Sequence, residues 1–174
     1  MVKEEPLLPP FNLKNWINEN RHLLKPPVGN KMVFENTEMM IMVVGGPNTR
    51  KDYHIDEGEE FFYQLEGNMI LRIMDDEKPK DTTINEGDIF LLPPRVPHSP
   101  QRFENTIGLV IERKRRDGEL DGFQWYCDEC HALLHEVYFT LTDIVKQLPP
   151  IFDRFWANDD ARTCKSCSAY LEKP

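Results

Sequence analysis

The spacing of apolar side chains predicts a short helix near the N-terminus. Over residues 12–24, apolar residues recur at intervals of three and four, at Leu13, Trp16, Ile17 and Leu24. These intervals place them on one face of a helix, and Asn12 is a residue type that caps a helix N-terminus well. We expect this helix to pack its apolar face against the outside of the main body.

From Lys31 to about Phe139 the pattern is typical of strands. Short runs rich in β-branched and aromatic residues alternate with turns that contain Gly, Pro or Asn. The predicted strands are residues 39–44, 60–65, 69–74, 88–92, 108–113 and 133–139. So many short strands favour an all-β barrel or a double-sheet jelly roll.

Beyond Thr140 the apolar spacing is helical again. It includes Leu141, Ile144, Val145 and Leu148 before a Pro149-Pro150 pair, and Ile151, Phe152, Phe155 and Trp156 after it. Because proline lacks a backbone N–H and clashes with the preceding turn, we expect the pair to break the helix. The predicted organisation is a barrel with its N-terminal helix over residues 1–140 and a helical extension over residues 141–174.

Composition and charge narrow the range of partners. The chain has 174 residues, a single-domain length, and a formal net charge of −9 that would repel a nucleic acid. An apolar run of about 18 residues, as a membrane span needs, is missing from the sequence. The start, Met1-Val2-Lys3-Glu4-Glu5-Pro6, lacks the basic and then apolar pattern of a signal peptide, so we expect a cytoplasmic location.

Two histidines and a glutamate have the spacing of a metal site. His54 precedes Glu60, which opens a predicted strand, and His98 follows a later strand and a proline-containing turn. Two imidazoles and one carboxylate can bind one face of Fe(II) and leave the opposite face open to a substrate and O2. Glu57 and Glu59 compete with Glu60 for this role, but strand alternation sends Glu59 to the opposite face from Glu60.

Four cysteines form two Cys-x2-Cys knuckles, Cys127 with Cys130 and Cys164 with Cys167. In a reducing cytoplasm they are better explained as metal ligands than as disulfides. Four thiolates saturate a tetrahedral iron or zinc ion, so we expect a structural site that clamps the C-terminal extension to the barrel. A c-type haem attachment would leave the second knuckle unexplained, and the acidic charge argues against a nucleic-acid zinc ribbon.

The histidine-containing segments resemble the two signatures of the cupin superfamily, His-x-His-x3-Glu-x6-Gly and Gly-x5-Pro-x-Gly-x2-His-x3-Asn. Asp56 stands where many cupins have a second histidine, which implies three protein ligands rather than four. Arg102 stands where the terminal asparagine would be, which places a cation near the metal. The resemblance implies a cupin jelly-roll barrel.

Further segments are similar to the 3-hydroxyanthranilate 3,4-dioxygenase family, over residues 43–48, 60–64, 86–94, 98–102 and 125–127. This resemblance implies an Fe(II)-dependent extradiol-type enzyme. The family opens the ring of 3-hydroxyanthranilate with O2 to give 2-amino-3-carboxymuconate semialdehyde. That reaction belongs to tryptophan catabolism, on the kynurenine pathway to quinolinate and NAD. The resemblance also implies a rubredoxin-like iron at the four cysteines in some members.

The same resemblance implies that Arg102 meets the substrate carboxylate, that Glu60 and Glu112 are acidic substrate contacts, and that Arg50 lies beside the oxygen site. The other basic residues after Glu112 are expected to be solvated surface charges: Arg113, Lys114, Arg115 and Arg116. A cupin that only binds or senses a small aromatic acid, and a cupin isomerase, stay open as alternatives. A homodimer is an open expectation for the assembly.

Overall fold

The computed structural model describes residues 7–26, 29–142 and 144–174. Its strands are β1 (Asn30–Met32), β2 (Met39–Gly45), β3 (Asp52–Ile55), β4 (Glu60–Glu66), β5 (Met69–Asp75), β6 (Lys78–Ile84), β7 (Ile89–Leu92), β8 (His98–Arg102), β9 (Ile107–Arg113), β10 (Asp121–Tyr126) and β11 (Leu133–Phe139). Its helices are α1 (Leu13–Asn20), continued by a 3-10 turn (Arg21–Leu23), α2 (Ile144–Trp156) and α3 (Asp159–Arg162). Residues 1–6, on which the signal-peptide argument rests, lie outside the described part.

Two antiparallel sheets build the barrel. One has the strand order β1-β2-β9-β4-β7, and the other has the order β11-β10-β3-β8-β5-β6. Alternation along β9 turns Val110 and Glu112 toward the cavity between the sheets, while Ile107 and Leu109 pack on the outside under α1. The prediction of a mainly β barrel with an N-terminal helix and a helical C-terminal extension is confirmed.

Helix α1 begins and packs as predicted. Asn12 caps it, because its side-chain oxygen accepts a hydrogen bond from the backbone N–H of Asn15 at 3.0 Å. Ile17 and Leu24 are buried in a cluster with Val43 and Ile107 of the first sheet. The three- and four-residue spacing therefore marks the face that covers the outside of the barrel.

Five strands were not predicted from the sequence: β1, β3, β6, β8 and β10. Strands β3 and β8 carry polar residues into the barrel, where His54 of one is paired in register with His98 of the other. Strand β6 is polar and contains Pro79, as an edge strand permits. Strands β1, β6 and β8 lack the apolar alternation by which strands are detected, and in β3 and β10 it is confined to very short runs.

The predicted helix break at Pro149-Pro150 is wrong, because α2 continues through both prolines. Beyond them, Phe155 is 2% exposed and stacks on Trp125 of β10 with ring centroids 4.3 Å apart. Burial of this apolar face against β10 and β11 outweighs the backbone hydrogen bonds that the prolines cannot donate. The side chains of Ile144 and Val145 lie outside the described part.

Within the described residues, the helices are all too short or too polar to cross a membrane. The division of the chain at residue 140 stays a prediction.

We expect Phe155→Ala to lower the free energy of unfolding by about 3–5 kcal/mol, because it leaves a cavity beside Trp125. Chemical denaturation checks this value. Phe103→Ala is the matched control, since Phe103 is 52% exposed and its loss should change stability by less than about 0.5 kcal/mol. An equal effect of both substitutions would contradict the packing described for α2.

Candidate active site

Three side chains from both sheets converge inside the barrel. His54 lies on β3, His98 on β8 and Glu60 at the start of β4, with one ligand atom from each within 4.8 Å of the others. Glu60 Oε1 is 3.1 Å from His98 Nε2 and 3.4 Å from His54 Nδ1. This buried oxygen nevertheless accepts no hydrogen bond. The three atoms therefore lie close together without hydrogen-bonding one another, an arrangement that suits metal ligands.

The outer nitrogen of each imidazole is held by an acceptor. His54 Nε2 lies 2.8 Å from a carboxylate oxygen of Asp121, and His98 Nδ1 lies 3.0 Å from the carbonyl oxygen of Val96. Because a carbonyl and an ionised carboxylate only accept, these nitrogens carry the hydrogens and donate. In the neutral imidazoles that a metal requires, the lone pairs are then on His54 Nδ1 and His98 Nε2, the nitrogens nearer Glu60. Two imidazoles and a carboxylate in these states suit Fe(II).

The triad opens on a cavity of about 160 Å³ between the sheets. Its walls include apolar side chains from both sheets, namely Met42, Val44, Phe62, Val110 and Phe123. Its charged lining includes all the residues of the predicted barrel site, namely Arg50, His54, Glu60, His98, Arg102 and Glu112. The structure thus brings these residues together, while their individual roles stay predictions.

Arg102 is a buried cation with unused hydrogen-bonding capacity. The residue is 3% exposed, its Nε has no hydrogen-bond partner, and its Nη1 donates to Gln64 Oε1 at 3.3 Å. Burial, with a further contribution from the nearby charge of Arg50, lowers its pKa to about 10. A guanidinium in this state favours an anion in the cavity.

Gly108 makes room for the Arg102 side chain. A Cβ at Gly108 would lie 2.6 Å from Arg102 Nη1 and 2.8 Å from Gln64 Oε1, closer than real Cβ contacts. The guanidinium and the Gln64 amide therefore pack directly on the backbone of β9.

Arg50 differs from Arg102 because it already has an anionic partner. Its Nε donates to Asp52 Oδ2 at 3.1 Å, and its Nη2 pairs with the same carboxylate. Burial opposes the charge, but Asp52 outweighs burial and raises the pKa of Arg50. Arg50 is thus a cation held in place at the cavity wall.

The prediction that Arg115 is a solvated surface charge is wrong. Its side chain is 7% exposed and forms two bonds to Asp121, from Nε at 2.8 Å and from Nη2 at 2.6 Å. Its Nη1 lies 3.0 Å from Glu112 and 3.1 Å from Asp56. Sequence reasoning missed both Arg115 and Asp121, since nothing in the run of basic residues marks the one that turns inward.

Glu112 is held between like and unlike charges. Burial, followed by the negative charge of Glu60, raises its pKa to about 8, although Arg115 opposes this rise. Its carboxylate lines the cavity wall next to the triad.

The four cysteines form a second cluster, with their sulfur atoms within 4.8 Å of one another. Cys127 Sγ lies 3.5 Å from Cys167 Sγ, and Cys130 Sγ lies 3.5 Å from Cys164 Sγ. The two knuckles share one conformation. In each, the first cysteine carbonyl accepts a hydrogen bond from the residue four positions on, at 3.0 Å from His131 and 2.9 Å from Ser168. Such paired knuckles fit one tetrahedral ion.

The family model described as 3-hydroxyanthranilic acid dioxygenase matches residues 7–156. The chain belongs to this family. A relative from Jannaschia sp. (strain CCS1), named 3-hydroxyanthranilate 3,4-dioxygenase, is 58% identical over 158 residues, which cover 90% of this chain and 88% of the relative.

A second relative of that name, from Xanthomonas euvesicatoria pv. vesicatoria, is 55% identical over 161 residues. These residues cover 92% of this chain and 91% of the relative. Among solved structures, a cupin-2 domain containing protein from Shewanella frigidimarina aligns with a TM-score of 0.46 and 17% identity. That alignment covers 57% of this chain and 92% of the other.

For this family member, we expect His98→Ala to weaken Fe(II) binding at the barrel by at least about tenfold and to abolish turnover, because a ligand is lost. Anaerobic Fe(II) titration and metal analysis measure the first effect. His22→Ala, at an exposed position, is the control and should bind iron normally. Normal iron content in His98→Ala would remove His98 from the ligand set.

Replacing Cys127 and Cys130 by Ser should remove one metal equivalent and loosen the C-terminal extension, while activity per folded, iron-loaded barrel is kept. Metal analysis beside specific activity tests this. Glu129→Gln, an exposed change inside the same knuckle, should keep both metal equivalents. Loss of specific activity with the barrel site still filled would make the thiolate site catalytic.

Proposed function

We propose that this chain opens the ring of 3-hydroxyanthranilate with O2, the reaction implied by the names of its relatives. One observation carries the proposal at the level of the site. A buried guanidinium with an unpaired Nε, that of Arg102, lines the same cavity as a convergent His-Glu-His triad. The carboxylate of a carboxylated aromatic ring would pair with the Arg102 guanidinium, and the ring itself would lie beside an ion held by the triad.

We propose that His54, Glu60 and His98 hold Fe(II), and that the four thiolates hold a second iron or a zinc. The unbonded, buried oxygen of Glu60 and the two inward-facing imidazole nitrogens fit such an ion. When bound, Fe(II) supplies open coordination positions and the redox chemistry by which O2 reacts with an aromatic ring.

Arg102 would bind the substrate carboxylate with its planar fork. Two parallel charge-assisted hydrogen bonds fix the direction of the ring as well as its charge. The Arg102 side chain is already buried, so binding the substrate carboxylate does not require removal of water from an exposed guanidinium. The binding energy of this contact can then orient the reacting ring edge toward the triad.

Glu112 and Arg50 would act on either side of the ring. Both line the cavity, and both are held by partners of opposite charge, Arg115 and Asp52 respectively. Glu112 would hydrogen-bond the amino or hydroxyl group of the substrate. Arg50 would stabilise negative charge that develops on O2. A cytoplasmic location and a homodimer stay predictions.

Anaerobic loading with Fe(II), followed by 3-hydroxyanthranilate and then O2, tests the proposed reaction. We expect consumption of O2 and the absorbance of the ring-opened semialdehyde. Protein loaded with zinc in place of Fe(II) is the control and should form no product. A stable complex with the substrate but no oxygen uptake would favour the alternative of a cupin that only binds an aromatic acid.

Arg102→Ala should lower kcat/KM for 3-hydroxyanthranilate, because a charge-assisted contact is lost. The loss should correspond to roughly 1.5–3 kcal/mol of transition-state stabilisation. The effect on 2-aminophenol, which lacks the carboxylate, should be much smaller. Arg95→Ala, whose side chain is 73% exposed, is the control. An equal loss on both compounds would show that Arg102 does not contact the carboxylate.

A further inference from the structure

We infer that Asp121 is a positioning residue, which holds His54 in the tautomer and orientation that bind metal, and that Arg115 holds Asp121 in turn. The inference goes beyond the proposed function in assigning two residues outside the predicted site. It rests on the proposal that His54 is a metal ligand.

Asp121 contacts the ring nitrogen of His54 that lies away from Glu60. It is the first residue of β10, it is 1% exposed, and its Oδ1 lies 2.8 Å from His54 Nε2. Two residues after Asp121, Phe123 is paired in register with His54. The carboxylate therefore binds one nitrogen of the ring and leaves Nδ1 facing Glu60 at 3.4 Å.

Arg115 fixes the carboxylate of Asp121 itself. It binds both oxygens, with Nε to Oδ2 at 2.8 Å and Nη2 to Oδ1 at 2.6 Å. A bidentate pair of this kind sets the plane of the carboxylate, and so the direction from which Oδ1 meets the imidazole. Its remaining nitrogen contacts Glu112 and Asp56. One guanidinium thus ties the His54 side of the cavity to the Glu112 side.

A carboxylate behind a ligating imidazole has two effects. It selects the ring nitrogen that carries the hydrogen, and it makes the other nitrogen a better electron donor to a metal. Removal of such a partner costs about 10–100-fold in metal affinity. If Asp121 served only to neutralise Arg115, its loss would affect stability without changing the His54 tautomer.

The wild-type protein tests the tautomer without any substitution. In zinc-loaded protein with 15N-labelled histidine, we expect NMR to find the hydrogen of His54 on Nε2 and none on Nδ1, with the signal assigned by its loss in His54→Gln. A hydrogen on Nδ1 would overturn the inference. This measurement needs neither turnover nor substrate, so its failure is distinct from failure of the proposed reaction.

Metal affinity tests the role of Asp121. Protein with one equivalent of zinc, which the thiolates take up preferentially, is titrated with Mn²⁺, an ion that favours imidazole and carboxylate ligands over thiolates. We expect Asp121→Asn to weaken Mn²⁺ binding by about 10–100-fold, as followed by EPR of the free ion. Binding within twofold of the wild type in the folded variant would overturn the inference.

Two further variants separate positioning from the loss of any Arg–Asp pair. Asp81→Asn breaks the bidentate pair of Arg72 and Asp81 on the same sheet, at 2.7 and 3.0 Å, where the side chains are 42% exposed. It should leave Mn²⁺ binding unchanged. Arg115→Lys keeps the charge but loses the fork, so it should weaken Mn²⁺ binding in the same direction as Asp121→Asn. Unchanged binding in Arg115→Lys would remove Arg115 from the inference.

Discussion

Ionised side chains enclosed between the two sheets need partners, because moving an unpaired ion out of water costs several kcal/mol. Arg115 meets this requirement for three buried acids at once, namely Asp121, Glu112 and Asp56. Arg50 meets it with Asp52. Four buried side-chain atoms of the described residues have no hydrogen bond. Asp56 Oδ2 still lies 3.1 Å from Arg115 and Trp125 Nε1 carries no charge, which leaves Arg102 Nε and Glu60 Oε1 as the two exceptions. Both residues line one cavity, where a bound anion would pair with Arg102 and a bound cation would pair with Glu60.

The outer parts of the fold could be predicted from the sequence, and the polar strands could not. Helix α1 and strand β11 follow from apolar spacing, because each packs one apolar face on the protein. Strands β3 and β8 escape this reasoning because their inward residues are the polar ones that build the site. The prediction failed again at Pro149-Pro150, where tertiary packing overrides a strong local signal.

The site shows the same division between local pattern and tertiary structure. The spacing of His54, Glu60 and His98 in the sequence was enough to propose a triad, and the structure brings them together. Arg115 and Asp121 could not be found in this way. Arg115 is one of several consecutive basic residues just beyond β9, and its inward direction depends on the loop that returns the chain to β10.

Gly108 contributes to the cavity by what it lacks. The Arg102 fork and the Gln64 amide rest on bare backbone at this point, where even a methyl group would collide with both. A survey that truncates side chains one by one to alanine would remove nothing here; it would add an atom instead. The position of the Arg102 guanidinium therefore depends partly on Gly108, whose contribution becomes visible only when a side chain is added there.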